Sequence, residues 1–381
     1  MVDSEALKLE LIPDINEIPA DTWNALAGDN PFLKHAFLQA LESSGCVSAE
    51  TGWQPYHICM RNETGILVGA VPLYLKSHSY GEYVFDHAWA NAYENAGGSY
   101  YPKLQSSVPF TPVTGPRLLA AGGNPHIKSQ LLQGVAAAAE KLGVSSSHLT
   151  FMETDEAMLS EENGFLVRHA QQFHWQNSDY KHFDDFLAAL SSRKRKQIRK
   201  ERRTALENGI TVRWLEGSEI TEEHWDAFFE FYLDTGARKW GQPYLNKEFF
   251  QTIGKTMPES IVLFLCERDD KPIAGALNLV GGDTLYGRYW GCNEDHPCLH
   301  FEACYYQAID YAIQHNLKTV EAGAQGEHKL ARGYAPTTTY SAHWIVNEGF
   351  RDAVAHFLRQ EKHQVAFENE ILSKHTPFKK G

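Results

Sequence analysis

The sequence predicts an α/β fold of mixed sheets and flanking helices, arranged as two tandem copies of one unit. Three observations predict it. Gly69-Ala70-Val71-Pro72-Leu73-Tyr74 reads like Gly275-Ala276-Leu277-Asn278-Leu279, and Gly81 and Tyr83 stand in step with Gly287 and Tyr289 at the same offset. Gly164-Phe165 and His174-Trp175 match Gly333-Tyr334 and His343-Trp344 at a second, shorter offset. The order of strand-like and helix-like segments also repeats, and self-similarity at this scale decides the architecture before any local detail. At 381 residues the chain exceeds one ordinary core, which favours roughly two domains. We place them at 1–180 and 181–381. The offset changes because the first carries an insertion at about 86–122.

In the first half, Leu7–Ile12 alternates as a strand, and Ala20–Leu26 and Pro31–Leu41 read as short helices. Tyr56–Met60, Ile66–Leu75 and Tyr83–Phe85 read as strands, the first two joined by the turn Arg61-Asn62-Glu63-Thr64-Gly65. Pro125–Leu142 is a helix with Pro in its first turn and Gly143 beyond its end. His148–Met152, Phe165–His169 and Phe173–Gln176 complete the half as strands. In the second half, Thr211–Leu215 is a strand, a helix opened by Thr221-Glu222-Glu223 runs to about Trp240, and Asn246–Thr256 is another helix. Ile261–Glu267, Ile273–Val280 and Thr284–Cys292 are strands separated by Asp/Gly turns. Phe301–His315 is a helix, Thr319–Ala322 and Thr337–Val346 are strands, and Glu348–Leu372 is a long C-terminal helix.

Composition narrows the function. Hydrophobic residues are 43% and charged residues 22%, as in ordinary globular chains. A net charge of −13 argues against general affinity for nucleic acid or anionic membrane. No stretch is apolar for long enough to span a bilayer, and Met1–Pro13 lacks the pattern of a signal peptide. The six cysteines show neither a CxxC pair nor framework spacing, which suits reduced thiols in a cytoplasmic protein. His296, Cys298, His300 and Cys304 lie close in sequence but not at a zinc-binding spacing, so no metal is assigned.

Against the acidic background, the run from Arg193 to Arg203 holds eight basic residues among eleven. As a helix over 193–207 it is a solvated linker, a nucleic-acid or nuclear signal, or a phosphate clamp built from Arg193, Arg195, Lys196, Arg199 and Arg203. Arginine suits the clamp because its planar fork binds phosphate through two hydrogen bonds. A clamp implies an anionic donor such as a nucleotide or lipid diphosphate, a coenzyme A tail or a tRNA end.

The loop Glu321–Tyr334 packs Glu327, His328, Lys329 and Arg332 among glycines. Glu327 or His328 suits a general base acting on an amine. Lys329 and Arg332 suit a carboxylate, a phosphate or a developing oxyanion. Arg288-Tyr289-Trp290, between glycines, reads as a bulged strand beside a ligand. His300 and Glu302 open the next helix, either as capping neighbours or as site residues, Glu302 among the catalytic candidates. The insertion carries Asp86, Trp89, Tyr93, Tyr101, Lys103, Phe110 and Arg117 in a Pro- and Gly-rich stretch. It is either a packed cover or a substrate-binding loop, and we expect the latter.

The element order of each half is that of the GNAT acyltransferase fold. Tyr289-Trp290-Gly291, Leu299-His300-Phe301-Glu302, Tyr305-Tyr306-Gln307 and Gly323–Lys329 with Arg332-Gly333-Tyr334 resemble the FemAB-like family of GNAT-superfamily proteins. So do Val84-Phe85-Asp86, Tyr100–Leu104, Pro109–Pro112 and Ser192–Lys196. The resemblance covers nearly the whole chain. It implies two tandem GNAT-like domains and a cytoplasmic N-acyltransferase of the peptidoglycan biosynthesis or recognition type. An aminoacyl-tRNA or acyl-CoA would be its donor, and the amine of a cell-wall precursor or another small metabolite its acceptor. The alternative is a non-catalytic protein that binds a cell-wall precursor or fragment on the same fold. The chain departs from the pattern in two places. Cys292–Cys298 lacks a Gly-rich pyrophosphate loop and carries Glu294 and Asp295 instead. No long coiled-coil arm is present.

Overall fold

The structure is a computed structural model and describes residues 7–239, 243–323 and 326–379; the side chains of residues 237–239 and 327 lie outside that description. The chain forms two compact units, Met1–Ala170 with Thr338–Phe367, and Gln171–Thr337 with Glu368–Gly381. The boundary read from the sequence at 180/181 differs because two long strands, β9 (Leu166–Gln176) and β15 (Ala335–Ile345), each begin in one unit and end in the other. The matched pairs Gly164/His174 and Gly333/His343 mark these two strands.

In unit 1, β1 (Lys8–Ile12), α1 (Ala20–Ala27) and α2 (His35–Ser43) precede β2 (Trp53–Pro55), β3 (His57–Arg61), β4 (Leu67–Val71) and β5 (Tyr74–Lys76). The strand expected over Ile66–Leu75 is broken, because Pro72 offers no N–H to a ladder. The strand expected at Tyr83–Phe85 is absent: Gly81 and Tyr83 turn the chain with φ of 82° and 60°. α3 (His87–Asn95), β6 (Lys103–Ser106), β7 (Leu119–Ala120), α4 (Pro125–Leu142), β8 (Ser146–Met152) and α5 (Thr154–Glu162) follow. α4 starts where the Asn124 side chain accepts the N–H groups of His126 and Ile127, and stops at Gly143 with φ 64°. Its apolar face, Leu131, Leu132, Val135 and Ala139, packs on Ile58, Met60, Val71 and Leu149. Two sheets result, in the orders β1–β3–β4–β7 and β15–β8–β6–β5–β2.

Unit 2 contains α6 (Phe183–Ala189), α7 (Ser192–Ala205), β10 (Ile210–Glu216), α8 (Glu222–Lys239), α9 (Lys247–Thr256), β11 (Ile261–Arg268), β12 (Lys271–Gly281) and β13 (Thr284–Cys292). α10 (Leu299–Phe301) runs through a π-helical turn (Glu302–Tyr306) into α11 (Gln307–Gln314), and β14 (Thr319–Glu321) follows. The last helix, α12 (Glu348–Lys374), belongs to unit 1 as far as Phe367 and to unit 2 beyond it. The sheet order is β10–β11–β12–β13–β14–β9. α8 lies hard against β13, since a Cβ on Gly291 would stand 2.1 Å from the Phe231 carbonyl oxygen.

Each unit holds one parallel strand pair among antiparallel ones. In unit 2 it is β13 with β14, through Thr284/Thr319, Leu285/Val320 and Tyr286/Glu321. In unit 1 it is β6 with β8, through Leu104/Ser147, Gln105/His148 and Ser106/Leu149. The ladder ends after three rows in both.

Candidate functional site

Where β13 and β14 part, a small cleft of about 100 Å³ opens. Its lining includes Leu277 and Asn278 of β12, Arg288, Tyr289 and Trp290 of β13, His300 and Cys304 of the helix beneath, and Ala322 past β14. The cause is local. β12 pairs Leu277 with Tyr289 but Asn278 with Gly287, so Arg288 is the extra residue of a β-bulge. The bulge turns the second half of β13 away from β14. The four cleft residues that the sequence singled out, Arg288, Tyr289, Trp290 and His300, are thus brought together. Tyr289 packs edge-on to Tyr232 and Phe250, and Trp290 edge-on to His300.

The 3-10 helix Glu327–Arg332 stands beside the cleft. Lys329 is buried, and its Nζ donates to the Gly323 carbonyl at 2.9 Å. Burial, and next Arg288, lower its ammonium to about 8, with Cys304 and Glu321 acting the other way. His328 is exposed and its Nε2 shares a 2.9 Å hydrogen bond with the Tyr305 hydroxyl. Partial burial, Arg332 and Lys329 push its imidazole below the usual value, so it is a neutral base at pH 7. The Glu327 side chain lies outside the described residues.

Two other candidates in this region are structural. Glu302 is fully buried at the π-helical turn; Arg202 donates to both its oxygens at 3.1 and 3.2 Å and Gln307 adds a bond of 2.7 Å. Burial raises its carboxyl, against the opposing pull of Arg202 and Gln307. Arg332 stacks on Phe301 with its guanidinium carbon 3.5 Å from the ring centre, donates to the His328 carbonyl, and pairs with Glu201 at 2.9 Å. It braces α7 against the Lys329 helix.

The basic run forms α7 as expected. Ile198 and Ala205 face the core, while Arg193, Lys196, Arg199 and Arg203 are exposed and Arg195 is half-buried. Arg199 pairs with the exposed Asp184 at 3.0 Å.

The insertion in unit 1 is packed rather than open, so the expectation of a substrate loop is not met by its side chains. Lys103 is wholly buried between Glu82, at 2.7 Å, and Asp86, with which it forms a very short ion pair. Burial opposes the Asp86 charge, but Lys103 outweighs it and holds the carboxyl below the usual range. Trp89 covers His343, Tyr93 lies on Phe350, the Tyr101 hydroxyl meets Ser79 at 2.8 Å, and Phe110 packs on Trp53. Arg117 is buried and donates to backbone carbonyls. Its Nε donates to Thr150 O, Nη1 to Gly115 O and Pro116 O, and Nη2 to Val113 O.

Sequence reasoning missed Glu321, His174 and Tyr305 as site residues. His174 was visible only as a repeat marker, and Glu321 only as the end of a strand. Their proximity depends on the register Glu321/His174 between β14 and β9.

A sequence profile of the FemAB-like family, described as peptidoglycan biosynthesis/recognition, matches residues 14–380. No curated protein sequence matches the chain significantly. Among solved structures, FemX is similar with 14% identity and a TM-score of 0.55, covering 91% of this chain and 100% of that one. The C-terminal domain of a putative lysylphosphatidylglycerol synthetase from Agrobacterium fabrum is similar with 10% identity and a TM-score of 0.55, covering 90% and 95%. L-PGS from Bacillus licheniformis gives 9% identity, a TM-score of 0.52, and 84% and 95% coverage. At such identities the likeness is one of fold, here an α/β fold of mixed sheets. No helix among the described residues is long and apolar enough to cross a membrane. With a profile matched from end to end of the folded chain, this protein belongs to the FemAB-like family of peptidoglycan biosynthesis/recognition proteins.

Proposed function

We propose that the protein is an N-acyltransferase that moves an acyl or aminoacyl group from an activated ester or thioester to an amine, with a peptidoglycan precursor as the favoured acceptor. The observation that carries this reading is Lys329, a buried ammonium beside the cleft whose Nζ donates to the Gly323 carbonyl. When the amine attacks, the acyl carbonyl oxygen gains negative charge, and a preorganised cation in a dry site stabilises that charge. The new C–N bond forms as the C–O or C–S bond to the donor breaks. The proton shed by the amine passes to neutral His328, and a proton returns to the departing oxygen or sulfur. Holding the two reactants together supplies much of the remaining rate.

The exposed cations of α7, Arg193, Lys196, Arg199 and Arg203, suit the phosphates of a donor, with aminoacyl-tRNA and acyl-CoA as the two candidates. The acidic segment Cys292–Cys298 disfavours a diphosphate at that loop, because Glu294 is ionised there with Arg268 and His296 as its partners.

The test is transfer to candidate precursor amines by wild type, Lys329→Met and His328→Asn. Loss of an oxyanion donor lowers turnover by on the order of 100-fold or more, with His328→Asn losing less. A Lys329→Met protein at wild-type turnover removes the mechanism. Precursor binding without turnover for any donor replaces it with the recognition function.

A further inference from the structure

Arg288 lines the cleft, yet its guanidinium is committed. Nη1 donates to the carbonyls of Gly287 at 2.9 Å and Glu321 at 3.2 Å, and Nη2 makes a very short ion pair with the Glu321 carboxylate. Both side chains are buried. These two carbonyls stand where the β13–β14 ladder stops, so the side chain continues a ladder that the backbone has abandoned. The other Glu321 oxygen faces Nε2 of His174 at 3.4 Å, and that nitrogen also meets Oε1 of Gln172 at 3.0 Å. A buried arginine used in this way ties β13 to β14 where their ladder ends.

Lys329 is tied to the same strand end. Its carbonyl partner, Gly323, lies two residues past Glu321. Among the described residues, the titratable and charged groups that act on it are Arg288 of β13, Glu321 of β14, His174 of β9, Cys304 of the π-helical turn, and His328 of its own helix. Burial, outweighing Glu321, lowers the His174 imidazole, so the Arg288–Glu321 pair carries the full charges of this strand end.

We propose that Arg288 and Glu321 are positioning residues for Lys329: they hold the parting strands at a set separation and fix the field at the ammonium, instead of binding substrate. The proposal rests on the reading of Lys329 as the group that meets the acyl oxygen. Arg288 opposes the charge on Lys329 and Glu321 supports it, so their effects have opposite sign. Burial adds to the effect of Arg288 and brings the Lys329 midpoint to about 8.

The experiment is an NMR titration of the lysine side chains in the full chain, with Lys329 assigned as the signal missing from Lys329→Arg. Arg288→Met is expected to raise the Lys329 midpoint and Glu321→Gln to lower it, each by on the order of one pH unit. Arg288→Lys, which keeps the charge, is expected to stay near wild type. If the pair only braces the fold, either loss admits water and both midpoints rise towards that of free lysine. That outcome, or no movement in either variant, overturns the proposal. The titration needs no substrate, so it stands apart from the functional reading, which Lys329→Met tests by turnover.

Discussion

In unit 2 the parallel strands β13 and β14 part after Tyr286 and Glu321, and the gap stays open as a cleft lined by Arg288, Trp290 and His300. In unit 1 the parallel strands β6 and β8 part after Ser106 and Leu149, and the chain fills its own gap. The registers show how. In unit 2, β13 continues from Gly287 to Cys292 beside β12, with one extra residue at the bulge. In unit 1, residues 107–118 leave the sheet before β7 rejoins β4 at the Gly69/Ala120 pair. Parting strands strand carbonyl groups in a buried setting, where each unmet acceptor is costly. Both units answer with a buried arginine. In unit 2 it is Arg288, on the strand itself, which leaves room beside it. In unit 1 it is Arg117, at the end of the filling segment, which takes the Thr150 carbonyl of β8 and three carbonyls of its own segment. The origin of the arginine decides whether the gap becomes a cleft or a core.

The largest effect that sharpens this contrast is expected from Arg117→Met. It leaves four carbonyls without their donor, and we expect a loss of about 3 kcal/mol or more in urea unfolding of unit 1. Arg288→Met, with one of its two carbonyls at the cleft rim, should cost less while changing the Lys329 titration. Equal stability losses for the two would break the comparison. Next comes Gly81→Ala. Gly81 has φ 82°, and a Cβ there would stand 2.6 Å from the Phe110 ring. Strain and displacement of Phe110 from Trp53 should cost about 2 kcal/mol, read as a lower midpoint with no change in acyl transfer. Impaired transfer would mean that the filled gap takes part in the reaction.

A third prediction concerns pH. The partners of the filled gap include His148 and His343, whose Nδ1 atoms lie 2.7 Å apart in the core of unit 1. Burial, and next Lys103, push His148 down to about 3, and burial pushes His343 well below its usual value. Between the unfolded value near 6.5 and the folded one, the unfolded chain binds more protons, so stability falls as pH falls. Each imidazole contributes up to about 1.4 kcal/mol per pH unit in that window. Glu82 and Glu156, raised by burial to about 7, act in the opposite sense. The informative quantity is therefore the difference between wild type and His343→Gln, which should shrink as the pH is lowered from 7 to 5. A constant difference sinks this assignment. The smallest effect is expected at the surface. Arg199→Ala breaks an ion pair whose two side chains are exposed, and stability should change by less than about 0.5 kcal/mol. Replacing Arg193, Lys196 and Arg203 by Gln should leave stability equally untouched while weakening an anionic donor, most visibly at low salt.

Much of the architecture was legible in the chain itself. Asn124-Pro125 and Gly143 bound α4 at the residues the sequence marks, and β11, β12 and β13 lie where alternation and Asp/Gly turns place them. The bulge was legible too, because aromatics flanking Gly287 and Gly291 set Arg288 apart. Local propensity and capping govern such features, and they act within a few residues. The protein partners of Glu302, Arg332, Lys103 and Arg117, candidates for catalysis or binding in the sequence, were not legible for the opposite reason. An ionisable residue among glycines and aromatics reads the same whether its partner is a substrate or a distant carboxylate.

The sequence by itself determined the family and most of the strand and helix order, and it marked Lys329 and His328 without the groups that pack around them. Tertiary structure alone decided which arginine guards an open cleft and which one closes a core. Glu201 meets Arg332, and Arg202 meets Glu302, across about a hundred residues or more of chain. Only close packing brings such groups together, and a buried charge takes whichever partner packing supplies.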